Sequence, residues 1–159
     1  MRLILILICI FINSCSKIPT NVQITPRDSV WSLIDSFKNE IQSKDDILKH
    51  LGGPKYKVAD KLGDTIWIFV DANGNQRFNV RFDSSEKNLH NLTYFPSKND
   101  ENEFSKESIV EHLSLRDCSE REEIKTIKDV TFVRNHFECK DGVKAVFDSK
   151  SVFSITVSK

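Results

Sequence analysis

The sequence predicts an α+β fold arranged as two tandem repeats, each a helix followed by an antiparallel meander. Three observations carry this expectation. Apolar residues recur at helical spacing up to Leu51 and at strand spacing after it. Asn73-Gly74, and later Asp141-Gly142, stand where tight hairpins need positive φ angles. Finally, residues 43–51 return at 105–113, an offset of 62, with five of nine aligned pairs identical: Ser43 and Ser105, Lys44 and Lys106, Ile47 and Ile109, His50 and His112, Leu51 and Leu113.

Taken in order, a first helix is expected from Asp28 or Ser29, because Val30, Leu33, Ile34, Phe37 and Ile41 form one apolar stripe with Trp31 at its edge. A second, short helix begins at Ser43, where Ser43 and Asp46 form a capping-box-like pair, and it ends at Gly52-Gly53-Pro54. Strands follow at 65–70, at 77–82 with Phe78, Val80 and Phe82 on one face, and at 89–95. Residues 96–103 are polar and acidic and read as a linker. The second repeat then occupies 104–159, where Phe147-Asp148-Ser149 echoes Phe82-Asp83-Ser84. The first repeat, with its extra helix, spans 28–95. Two such units side by side would leave a groove at their junction.

The chain opens with Arg2 and an apolar run from Leu3 to Ile12, the pattern of a secretory signal. The run is shorter than the roughly 20 residues a membrane span requires. It ends in Ile12-Asn13-Ser14-Cys15, which resembles a bacterial lipobox. Residues 1–14 are therefore read as a signal peptide and Cys15 as the lipid-attachment residue, with palmitate-type acyl chains anchoring the protein to a membrane. Residues 15–27, with Pro19 and Pro26, read as a flexible tether. Ser16 after the cysteine resembles the sorting signal of outer-membrane lipoproteins, so a periplasm-facing outer-membrane location is expected.

Cleavage would remove Arg2 alone among charged residues, changing 23 basic against 23 acidic to 22 against 23. A near-neutral chain has no electrostatic footprint for nucleic acid. Eleven Phe and two Trp supply enough bulk for one ordinary core. Of four cysteines, Cys9 would leave with the signal and Cys15 would carry lipid, leaving Cys118 and Cys139. In an oxidising compartment that pair reads as a disulfide. A metal site recruiting His136 and His112, or two free thiols, are the other readings.

Leu51-Gly52-Gly53-Pro54, then Trp67 with Phe69, then Phe82-Asp83, resembles the SmpA/OmlA (BamE-type) small outer-membrane lipoproteins. The second half resembles the related tandem-repeat β-lactamase-inhibitor-protein-like fold, which often carries one cysteine after its helix and one on a following strand, as Cys118 and Cys139 would be. The resemblance covers most of 43–159. It departs at Leu113-Ser114-Leu115-Arg116, which replaces the Leu-Gly-x-Pro ending, and in the extra helix at 28–42. It implies a protein-interaction module and no catalysis.

Signals of chemistry are sparse. Asp71-Ala72-Asn73-Gly74-Asn75 begins like a calcium loop, but its glycine comes too early and Phe82 stands where the closing Glu is needed. No phosphate loop, nucleophile elbow or His-Glu-x-x-His helix occurs. His50 and His112 occupy equivalent places and read as structural or solvated residues. Asp45 with Asp46, and Glu122 with Glu123, read as solvated charge and capping. The expected function is a non-catalytic binding or scaffolding lipoprotein of the cell envelope, with no cofactor. It would take another envelope protein as partner through sheet edges or the inter-repeat groove. Trp31 and Tyr94 are the candidate binding-surface anchors, with packing into the core as the favoured alternative for each. The alternatives are a binder of a small or lipidic ligand and a hydrolase-inhibitor-like protein.

Overall fold

A computed structural model describes residues 28–98, 100, 103–148 and 151–159. The signal peptide, Cys15, the tether and Ser149 lie outside the described residues. The elements run α1 (Asp28–Asn39), α2 (Lys44–Leu51), β1 (Tyr56–Ala59), β2 (Thr65–Val70), β3 (Gln76–Phe82), β4 (Leu89–Tyr94), α3 (Lys106–His112), β5 (Cys118–Ile127), β6 (Val130–Cys139), β7 (Val143–Asp148) and β8 (Ser151–Ser158).

The strands form one antiparallel sheet of eight, in the order β1-β2-β3-β4-β8-β7-β6-β5. This overturns the expectation of two tandem helix-plus-meander repeats. The decisive feature is the pairing of β4 with β8, which aligns Asn91 with Ser158 and Tyr94 with Ile155. Separate meanders would each expose two strand edges, whose unpaired N–H and C=O groups are a liability. Joining β4 to β8 removes two of those four edges. The helices ignore the expected boundary as well. α1 packs on β8, and its Lys38 pairs with Asp141 at 3.3 Å, while Lys159 Nζ donates to the Lys38 carbonyl. A single apolar core results, and among the described residues the two halves are not separate units with a groove at their junction.

Local rules explain the elements well. Ser43 Oγ accepts from the Asp46 N–H, and the Asp46 carboxylate accepts from the Ser43 N–H, closing a capping box on α2. That hydrogen bonding, led by the Ser43 hydroxyl, holds the Asp46 carboxyl below its usual pKa. Gly52, at φ 71°, lets the chain leave α2 in a backbone region closed to most residues. Ser105 caps α3 by accepting from Ser108 N. The similarity of 43–51 and 105–113 is thus a similarity of two Ser-capped helix starts.

Three successive hairpins share one turn device. Asp60, Asp71 and Asp83 each accept, through one carboxylate oxygen, the N–H groups two and four residues on: Leu62 and Asp64, Asn73 and Asn75, Ser85 and Lys87. At Asp83 the bond from Lys87 N leads, and the carboxyl is held at about 2. The β1 strand was not expected from the sequence. It is four residues long and wholly exposed, too short for its Tyr56–Val58 alternation to identify it.

Alternation then divides the sheet into two faces. Trp67, Phe69, Phe78, Val80, Phe82, Leu92, Tyr94, Phe137, Ala145, Ile155 and Val157 point inward. They form one buried cluster with Ile34 and Phe37 of α1, Ile47 of α2 and Ile109 of α3. Each such side chain stabilises the fold by about 1.5–3 kcal/mol through burial.

Candidate functional site

Cys118 and Cys139 are directly opposite each other on β5 and β6 and form a disulfide, with Sγ–Sγ 2.11 Å. This removes the metal reading built on His136 and His112. His136 stands three residues before Cys139 on an extended strand, hence on the other face, and its Nε2 meets Glu123 at 2.8 Å. His112 lies elsewhere, stacked on Trp31 with ring centroids 4.5 Å apart. Among the described residues no group of three His, Cys, Asp or Glu side chains could hold a metal ion.

Neither expected anchor is a free aromatic. Tyr94 shares the inward phase of Leu92 and is only 1% exposed, so its reading as a surface residue is corrected. Its hydroxyl accepts from Arg77 and donates to Asp100 at 3.0 Å. Burial pushes the phenol pKa up. Asp100 experiences a raising effect from its own burial, yet bonds from Arg77, Ser97 and Tyr94 outweigh it and hold the carboxyl at about 2. The trio locks the end of β4 to the segment before α3. Trp31 is half-buried between Phe104, 4.7 Å away, and His112. It joins α1 to α3. His112 Nδ1 meets the Ser108 carbonyl on its own helix, and no contact joins it to His50 among the described residues.

The groups with unsatisfied surface lie on the helix-free face and at one corner of the sheet. On that face, Tyr56 opposes Ile68 and Val58 opposes Ile66 across β1 and β2. Tyr56 and Val58 are 55% and 44% exposed, while Ile66, Ile68 and Val70 are half-buried. The middle of the face is polar. Arg81 pairs there with Asp60 and Asp64, and Thr93 and Thr156 share a hydroxyl contact of 2.9 Å. Beyond it come Phe95 and Phe153 in edge-on contact, with the Arg134 guanidinium 4.8 Å from the Phe153 ring centroid.

The corner is the β5–β6 hairpin. Among the described residues β7 pairs with β6 only from Arg134 to Glu138, and 130–133 have β5 as their sole strand partner. Ile124, Ile127, Val130, Phe132 and Val133 are all 38% exposed or more, half of the large apolar side chains so exposed among the described residues. Glu123, Lys125, Ile127, Phe132 and Arg134 line a shallow cleft of about 190 Å³ there. A second cleft of about 150 Å³ lies between Lys106, Glu120 and Phe147. Sequence reasoning missed this ribbon. Its available signal was two β-branched runs flanking Lys128-Asp129, a dipeptide that does not advertise a tight turn.

The fold and its exposed groups define a mainly antiparallel β protein, with helices on one sheet face, a second face left open by the described residues, and a disulfide-closed β5–β6 ribbon. No known family matches the sequence, and no curated protein does. Among solved structures it is similar to a DUF4309 family protein (YjgB) from Bacillus subtilis, at 10% identity and TM-score 0.42, covering 84% of this chain and 100% of that one.

Proposed function

We propose that the protein is a non-catalytic, lipid-tethered module of the bacterial cell envelope that docks another envelope protein on the helix-free face of its sheet. The tether reading rests on the signal-like start and Cys15. The docking reading rests on one observation: the cross-strand apolar block of Tyr56, Val58, Ile66 and Ile68, left exposed or half-exposed beside a polar centre. A contiguous apolar patch rimmed by polar residues is the usual mark of an interaction surface. Interface cores take aromatic anchors preferentially, and Tyr56 is the open aromatic of this block.

The ligand-binding alternative draws less support. The two clefts described above, of about 190 and 150 Å³ among the described residues, fall below the roughly 300–1,000 Å³ of small-molecule pockets. Crosslinking in intact cells, followed by affinity purification and mass spectrometry, tests the docking reading. The same envelope protein should be recovered with the wild type and lost with Val58→Asp. Recovery unchanged by Val58→Asp would move the interface elsewhere, and recovery of the chain alone would favour the ligand reading. Cys15→Ala tests the tether. Persistent fatty-acid labelling and carbonate-resistant membrane association in that variant would rule it out.

A further inference from the structure

The ribbon differs from the rest of the surface in having apolar side chains on both of its faces. Register places Ile124 opposite Val133 on one face, and Ile127 opposite Val130 on the other. Phe132 joins the second face, two residues from Val130. The turn itself is two residues, Lys128 and Asp129, at φ 48° and 65°. This is the left-handed geometry that keeps a two-residue hairpin straight and narrow. Residues 130–133 carry the tip about 13 Å past the last β7 pair, at roughly 3.3 Å per residue.

Charge is divided along the same ribbon. Its acids sit toward the base, where Glu120 pairs with Lys106, Glu123 with His136 and Glu138 with Lys144. The distal segment 124–133 holds Lys125 and Lys128 against Asp129 alone, and Arg134 at the next rung faces Glu123. No ion pair engages Lys125 or Lys128 among the described residues. A protein groove would cover one face of such a tip and leave the other in water. A bilayer interface surrounds it, and the cationic side chains can reach the headgroups while their stems stay with the apolar groups.

The direction of the chain agrees with this. The C-terminal end of α1 is held at the β6–β7 turn by Lys38 and Asp141, and Trp31 near its start packs on Phe104, which packs on Tyr94. Tyr94 pairs with Ile155, midway along β8, while the β6–β7 turn lies at the end of β8, where Ser158 N donates to the Gly142 carbonyl. α1 therefore begins toward the end of the central strands from which the ribbon projects.

We propose that the β5–β6 tip is a second membrane contact, inserting Ile124, Ile127, Val130, Phe132 and Val133 into an anionic phospholipid interface. This rests on the lipid-tether reading for its orientation. Tether and tip would then be two points of attachment that hold the open sheet face upright, away from the bilayer.

The test uses the chain purified from membranes and reconstituted in vesicles. Val130→Cys and, at the other end of the sheet, Lys87→Cys each carry an environment-sensitive fluorophore. In vesicles of phosphatidylglycerol and phosphatidylethanolamine, the label at 130 should be quenched by lipid-borne quencher and the label at 87 should not. Ile127→Asp with Phe132→Asp, at exposed positions that leave the disulfide and core intact, should reduce that quenching about tenfold. Phosphatidylcholine vesicles or high salt should weaken it.

A water-exposed label at 130 on vesicle-bound protein overturns the proposal. So does equal quenching at 130 and 87, or equal quenching on neutral and anionic vesicles. Shielding without vesicles that grows with protein concentration would mean that a second copy covers the ribbon instead. Mass spectrometry of the Cys15 peptide from the same preparation reads the lipid tether separately, so failure of the tether and failure of the tip are different results.

Discussion

The sheet body and the β5–β6 tip are both antiparallel β-structure, yet they solve opposite problems. In the body, Trp67, Phe78 and Phe82 are 2% exposed or less under three helices, and polar groups such as Arg77 are bonded to Tyr94 and Asp100. At the tip, apolar residues face water on both sides, and no close ion pair engages Lys125 or Lys128 among the described residues. Stability is concentrated in the first region and surface left for recognition in the second. The boundary falls at Arg134, the last β6 residue paired with β7, and the disulfide closes the opposite end of the β5–β6 hairpin, with Cys139 buried in the core.

Four measurements can break or sharpen that contrast. The largest effect should come from Phe78→Ala, at a buried position between β2 and β4. It should cost about 3–5 kcal/mol by chemical denaturation, and a cost near zero would mean the body is not packed as described. Reducing the Cys118–Cys139 bond, with 21 residues of separation, should cost about 3 kcal/mol, again by denaturation with and without reductant. A much smaller loss would show that the ribbon base is already held by its ladder.

Asp100→Asn should cost about 1–2 kcal/mol at neutral pH, because it breaks the bonds joining Arg77, Tyr94 and Ser97. The sign with pH follows from the depressed carboxyl. Its contribution is present above the ordinary value of 3.8 and is lost as pH falls toward about 2. The variant should therefore show a flatter stability profile across that window, and an unchanged profile would remove Asp100 as the cause. The smallest effect is expected for Phe132→Ala at the tip, within about 0.5 kcal/mol of the wild type. A loss of several kcal/mol there would mean that the tip belongs to the core and is not free for recognition.

Val30, Leu33, Ile34, Phe37 and Ile41 declare α1 by spacing alone, and Ser43 with Asp46 declares the start of α2. Phe78, Val80 and Phe82 reveal the inward phase of β3 in the same way, because alternation depends only on neighbours in the chain. Tyr94 was harder to place. Its phase with Leu92 points inward, but only the Arg77 and Asp100 partners make its hydroxyl tolerable there. The tip was harder still, since apolar residues on both strand faces erase the period that normally identifies a half-buried strand.

Local order was thus written in the chain: helix stripes, caps, Asp-led turns and the inward face of individual strands, all set by interactions within a few residues. The chain also held the signal-like start and the cysteine pair. Only the tertiary structure decided that two meanders become one sheet, through the β4–β8 pairing of residues 61–67 positions apart in sequence. It alone decided that α1 covers β8 and that the β5–β6 ribbon outruns β7. Those outcomes depend on which edges remain to be satisfied once every local element has formed, and hydrophobic periodicity carries no record of which strand will meet which edge.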